Sequence, residues 1–242
     1  MTVARCLWLS IALVAVFCAS ERRNASMEQN RESLLRAWLH ERYGPPVFVG
    51  RVRVGYDETI SGTAATRLDI DDCGQRARVV RLHPSVAYDE QYLVHELWHA
   101  LYQSDTLLTN APRFFVEGEA ALAQFEYVNT HLGSGDTLSF IAKEIRAVRS
   151  RLASYAPDYE WVIKDRSRDE RMLDYLYAGH LVADAGSRGI DLRTVVEQYV
   201  AQGGQPSWTD FRSYVSTQHC FVWQYVQAWE VQVQATSGRE ER

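Results

Sequence analysis

The chain has 242 residues, 24% charged and 46% hydrophobic, with a formal net charge of −5. This is a globular composition with enough apolar residues for a sizeable core. Without a basic excess, nucleic acid is not an expected partner.

The first segment reads as an export signal. Arg5 supplies a positive start, Cys6–Phe17 is apolar, and Cys18-Ala19-Ser20 offers small residues for cleavage after Ser20. The apolar run is shorter than the roughly 20 residues a membrane span needs. The expectation is a secreted or periplasmic protein with a signal over residues 1–20 and no stable membrane span after cleavage. A retained N-terminal anchor is the alternative. A lipoprotein reading would acylate Cys18, against which the bulky Phe17 argues. The remainder is expected to be one domain over residues 21–236, with a disordered polar tail over 237–242. Asn24-Ala25-Ser26 is a glycosylation sequon if the source is eukaryotic. Cys73 and Cys220 remain after cleavage. In an oxidising compartment they either pair, closing a long loop worth roughly 5 kcal/mol, or stay as two buried thiols.

In chain order, Ser26–Tyr43 has Leu34, Leu35, Trp38 and Leu39 at helical spacing before Gly44-Pro45-Pro46 stops it. Val47–Val54 alternates as a strand does, Arg78–Leu82 is a second β-like run, and Thr63–Ile70 is a candidate third. Asp69-Ile70-Asp71-Asp72-Cys73-Gly74 looks like the opening of a calcium loop. Cys73 and Val80 stand where ligands belong, so a hairpin turn is the better reading. From Tyr88 onward the pattern is helical, over Tyr88–Ser104, Arg113–His131, Thr137–Ser154, Arg168–Ser187, Leu192–Gln202 and Ser207–Gln234. The predicted fold class is α+β, a small N-terminal sheet followed by a mainly helical body.

The chemistry concentrates in His95-Glu96-Leu97-Trp98-His99. Residues four apart share a helix face, so two imidazoles can grip one ion, while Glu96 reaches a bound water more easily than the metal. This is HExxH, two zinc ligands and a general base. A zinc hydrolase needs a third protein ligand and an open fourth position. Asp105 stands where a metzincin places its last ligand, but Tyr102 occupies the position of that motif's turning glycine.

Downstream, Phe114-Phe115-Val116-Glu117-Gly118-Glu119-Ala120 resembles the gluzincins, the thermolysin-like and aminopeptidase-like group also called peptidase MA-like. There a second helix carries an E-G-x-A segment whose first glutamate is the third zinc ligand. The resemblance covers roughly residues 78–189. It implies a zincin-like fold, Zn2+ as cofactor, Glu117 as ligand, and Gly118 and Ala120 as small positions that let this helix approach the HExxH helix. Glu119 is the rival ligand on spacing, and the two glutamates cannot both face the metal. Tyr177-Ala178-Gly179-His180 is similar to the family's later tyrosine motif, which implies Tyr177 as oxyanion donor, with His180 and Tyr175 as alternatives. The family's carboxylate that orients the first histidine is absent, since Ala121 holds its position; Asp184, Glu126 or a backbone carbonyl would have to serve.

The implied function is an exported zinc metallopeptidase that hydrolyses peptide bonds in a peptide or protein substrate through a zinc-activated water, with Glu96 as general base. Extended substrate would add to Arg78–Leu82 as an edge strand. The competing expectations are an inactive zinc-binding structural or interaction protein on the same fold, and a metal-free helical protein with a fortuitous motif.

Overall fold

The computed structural model describes residues 30–60, 64–70, 75–86, 89–133, 135–161 and 166–237. The expected signal, its cysteines, the sequon, Cys73 and residues 238–242 lie outside them. Ser237 is not part of a tail but the last residue of the final helix. The chain divides into two compact units at Pro45–Pro46.

The first unit contributes one described helix, α1, over residues 30–43. Arg36 pairs with Glu32 one turn earlier, at 2.6 Å. Leu35 and Leu39 are its buried leucines, whereas Leu34 is 63% exposed.

The second unit opens with three strands, β1 (Arg51–Tyr56), β2 (Ala64–Ile70) and β3 (Arg76–Leu82). Their order is β1-β3-β2, with β1 parallel and β2 antiparallel to β3. The candidate third strand therefore exists, and β2 and β3 form a hairpin. The first strand starts later than expected, because Val49 is 94% exposed and the alternation at Val47–Val49 points at no core. β3 is the central strand, not an edge. Both sides of its backbone are engaged, so it has no ladder left for a substrate.

A single 3₁₀ turn, Pro84–Val86, leads into α2 (Glu90–Tyr102). Then follow α3 (Asp105–Asn110), α4 (Arg113–Leu132), α5 (Thr137–Arg149), α6 (Arg168–Ser187), α7 (Leu192–Ala201), α8 (Trp208–Gln218) and α9 (Cys220–Ser237). This is an α+β architecture, a small mixed sheet and a mainly helical body. Local chemistry explains most boundaries. Asp89, Ser104, Asp136, Asp191 and Ser207 cap helix N-termini, and Ser167 with Glu170 forms a capping box on α6. Gly133 ends α4 in the left-handed region, at φ 61°, where its lack of a Cβ removes the steric cost.

The segment expected as one helix from Ser207 to Gln234 is broken at His219, whose φ of −136° and ψ of 66° leave the helical region. Its ring nitrogen meets the Tyr214 hydroxyl at 3.1 Å, and Trp223 N donates to its carbonyl as α9 starts. Cys220, the first residue of α9, is an exposed free thiol.

The helical core gathers Phe114 and Phe115 of α4, Leu173, Leu176 and Tyr177 of α6, and Trp208 and Trp229 of α8 and α9. α4 packs against both α2 and α6. A Cβ on Gly118 would lie 2.6 Å from the Ala178 carbonyl oxygen, so glycine is what permits α4 to approach α6 here. The small position thus serves the α4–α6 contact rather than the expected approach to the HExxH helix.

Candidate metal centre

Every residue of α2 from Leu93 to Tyr102 is buried, including His95, Glu96 and His99. Leu97 and Trp98 anchor the helix, the latter stacked on Tyr102 at 4.8 Å between ring centroids. The end of α2 is held by Arg78, itself 1% exposed. Its Nη1 donates to the carbonyls of His99, Ala100 and Gln103 at 3.0, 3.0 and 2.7 Å, and its Nη2 pairs with Asp105. Those carbonyls belong to the last turn, where helix geometry leaves acceptors without intrahelical donors and favours a cation. Asp105, the metzincin-type candidate, is thereby committed to Arg78 and to Arg76.

One turn separates His95 from His99, and their Nε2 atoms lie 3.2 Å apart. Glu117 reaches in from α4, with Oε2 at 3.2 Å from His95 Nε2 and 3.3 Å from His99 Nε2. Among the described residues this is the one group of three such side chains placed to share an ion. A tetrahedral ion with bonds of ~2.0 Å has ligand–ligand edges of about 3.3 Å, so the triangle fits one face of that polyhedron. The donor set, two imidazoles and a carboxylate, is that of a small divalent cation.

The three side chains also lie within bonding distance of one another. Burial disfavours charge on His99, but the Glu117 carboxylate bonded to it outweighs this and raises the imidazole to about 9. Burial likewise opposes the Glu117 charge, yet His99 and His95 together hold it well below the usual carboxylate range. Arg113 meets the other oxygen, Oε1, at 2.9 Å. Glu119 is not in the triangle. It accepts from Gln103 Nε2 at 3.0 Å and from Arg193 Nη1 at 3.2 Å, and burial raises its carboxyl.

Glu96 is 7% exposed, and its Oε2 accepts from the Thr66 hydroxyl of β2 at 2.7 Å. The same hydroxyl also meets the Glu96 carbonyl, at 3.0 Å. The strand β2, at the end of the order β1-β3-β2 among the described residues, thus borders the general-base candidate.

The tyrosines separate. Tyr175 sets its ring edge-to-face on His95, with centroids 5.4 Å apart. Burial, then the charges of Glu117 and Glu96, push its hydroxyl pKa upward. Trp161, the one non-glycine among the described residues at positive φ (59°), abuts Tyr175 at 4.9 Å. Tyr177 lies elsewhere, stacked on Tyr155 at 5.6 Å in the aromatic core, with a buried hydroxyl that finds no partner. His180 faces α9, where its Nδ1 accepts from Trp229 Nε1 at 3.2 Å, and burial lowers its pKa.

Of the expected site residues, the fold therefore brings together His95, Glu96, His99 and Glu117, and does not bring Tyr177 or His180 to them. Tyr175 was legible from packing. Ala178 and Val182 face Gly118 of α4, Gly179 faces Leu122 and Phe125 of the same helix, and Tyr175 continues that stripe one turn earlier. None of the three suggested partners orients His95. Asp184 is taken by Arg188 and Tyr225, and His95 Nδ1 is buried without a partner. A contact the sequence does not announce is that of Gln103, whose Oε1 stands 2.6 Å from His99 Nδ1. Its only trace there is spacing, one turn beyond His99 on the same face.

Among the described residues no helix is long and apolar enough to cross a membrane. Compared with known proteins, the chain matches no family model, no curated protein and no solved structure.

Proposed function

We propose that the chain is an exported zinc-dependent metallopeptidase of gluzincin type on a zincin-like fold. The observation that carries this reading is the triangle of His95 Nε2, His99 Nε2 and Glu117 Oε2, with sides of 3.2, 3.2 and 3.3 Å beside Glu96. Zinc bound by these residues would supply Lewis acidity, polarising a substrate carbonyl and making a water acidic near neutral pH.

The chain's own groups do the rest. Glu96 accepts the water's proton as the carbonyl carbon is attacked, and delivers it to the leaving amine. Thr66 holds that carboxylate in place through its hydroxyl. Tyr175, rather than Tyr177 or His180, donates a hydrogen bond to the oxyanion, because it alone of the three borders His95. An extended peptide adds to the open edge of β2, which leads the scissile bond past Glu96. The export assignment rests on residues 1–20 of the sequence.

A second reading, an inactive zinc-binding protein, is favoured by one observation: His95 Nδ1 has no orienting partner, and Ala121 stands where a carboxylate would supply it. Glu96→Gln separates the two. On the peptidase reading the variant binds one equivalent of zinc but loses hydrolysis of a peptide library. Undiminished hydrolysis removes Glu96 from the mechanism, and a wild-type protein that binds zinc without cleaving any library member leaves the second reading.

A further inference from the structure

The metal-centre reading places His99 as a ligand, and on that reading the side chain that fixes its geometry can be identified. Gln103 is fully buried, at 0% exposure, one turn beyond His99. Its Nε2 donates to the Val116 carbonyl at 2.8 Å and to Glu119 Oε2 at 3.0 Å. A peptide carbonyl only accepts, so the amide nitrogen must face Val116 and the amide oxygen must face His99. Oε1 lies 2.6 Å from His99 Nδ1, which therefore carries the hydrogen. That leaves Nε2 as the ligand nitrogen, directed at His95 Nε2 and Glu117 Oε2.

The amide is itself held from outside. Glu119 Oε1 pairs with Arg193 Nη1 of α7 at 3.2 Å, and Arg193 Nη2 donates to the Tyr102 carbonyl at 2.5 Å. Arg193 Nε meets Glu197 at 3.1 Å. The chain of contacts runs from α7 through α4 to the end of α2. His95 has no counterpart to it, since its Nδ1 is buried and unpartnered.

We infer that Gln103 is the positioning residue of the metal centre, locking His99 as an Nε2 ligand, and that the Glu119–Arg193 pair keeps its amide in register. Metal affinity is then set in part from α7, outside the ligand shell. Glu119, a rival for the ligand role on sequence spacing, acts here as the support of the support. Partners of this kind typically change metal affinity about 10–100-fold when removed.

The test is a Zn2+ titration of the full chain, stripped of metal, in competition with a chromogenic chelator. The metal-free unfolding midpoint is measured beside it to separate affinity from folding. Gln103→Met is expected to weaken zinc about 10–100-fold. Gln103→Glu keeps an acceptor for His99 Nδ1 while setting an oxygen against the Val116 carbonyl, so it is expected to lower the metal-free unfolding midpoint yet bind zinc more tightly than Gln103→Met. Should Gln103→Met not fold, Arg193→Gln keeps Gln103 and removes the guanidinium that meets Glu119 and the Tyr102 carbonyl, and an affinity loss of about threefold or more is expected there. Wild-type affinity in Gln103→Met overturns the inference while leaving the metal centre standing. Zinc affinity in Gln103→Glu no better than in Gln103→Met also overturns it, since the loss then tracks disruption rather than the bond to Nδ1. A wild-type chain that binds no zinc overturns both.

Discussion

Replacing Arg78 by methionine keeps the apolar stem and removes the guanidinium that closes α2. The structure assigns that group three hydrogen bonds to carbonyls, at 3.0, 3.0 and 2.7 Å, an ion pair with Asp105, and a position 4.2 Å over the Phe48 ring. Charge-assisted hydrogen bonds are worth about 1.5–3 kcal/mol each, but summing them overshoots, because one desolvated group makes all of them. Asp105 is partly exposed, at 31%, so water softens its loss. The carbonyls of His99, Ala100 and Gln103 have no such relief, being buried acceptors in the last helical turn. Breaking a buried charged network by removing one partner costs about 3–5 kcal/mol, and that is the expectation for Arg78→Met. At about 2–4 °C per kcal/mol for a chain of this size, melting falls by roughly 6–20 °C. Arg78→Lys keeps the charge at the helix C-terminus but not the planar fork, so about 1–3 kcal/mol is expected. Urea unfolding of the metal-free protein, followed by far-UV circular dichroism with the slope fitted, measures both. A loss below about 1 kcal/mol in Arg78→Met, with unchanged slope, would refute the claim that Arg78 holds α2.

Tyr175→Phe should lower kcat about 10²–10³-fold, the cost of one oxyanion donor, while Tyr177→Phe leaves kcat within about twofold and stability unchanged or slightly higher, its hydroxyl being buried without a partner; steady-state kinetics and melting on both variants check this. Gly118→Ala would place a Cβ 2.6 Å from the Ala178 carbonyl oxygen and 2.9 Å from its carbon, so a loss of about 1–3 kcal/mol is expected on calorimetry. Burial raises the Asp174 carboxyl to about 6 despite the bonds from Tyr155 and Asp158 N and the charge of Arg166. Its folded pKa thus exceeds the unfolded one, so the folded state holds more protons between about pH 4 and 6. This contribution to stability is full below about pH 4 and is lost as pH rises through about 6; Asp174→Asn should flatten that part of the stability profile.

The helical half was readable because its signals are local. Helical periodicity and the short polar or glycine-containing breaks located α6 and, within a residue or two, α2, α4 and α7. What failed was decided by tertiary contacts. The β-like run Arg78–Leu82 reads as an edge strand open to substrate, yet it lies between two others, and Arg78 is buried to serve the carbonyls of α2. No glycine or proline marks the break at His219, whose conformation leaves the helix without a local breaker. The short α3 leaves little trace in the pattern although Ser104 caps it, because six residues carry little periodicity.

Both ambiguities at the site were questions of helix phase, and both are answered by what packs on the opposite face. Residues two apart on a helix point about 200° away from each other, so one of Glu117 and Glu119 meets the histidines and the other does not. Likewise one of Tyr175 and Tyr177 can face them. Gly118 decides the phase of α4, because its missing side chain is where α6 comes close, through Ala178 and Val182. With that contact made, Glu117 falls toward α2, and Glu119 falls toward Gln103 and Arg193. On α6 the same contact turns Tyr175 toward His95 and sends Tyr177 into the aromatic core beside Tyr155. A stripe of small residues therefore carries more information about the site than the tyrosine motif itself. It fixes which side chains of both helices can reach the centre, whatever chemistry they bring there.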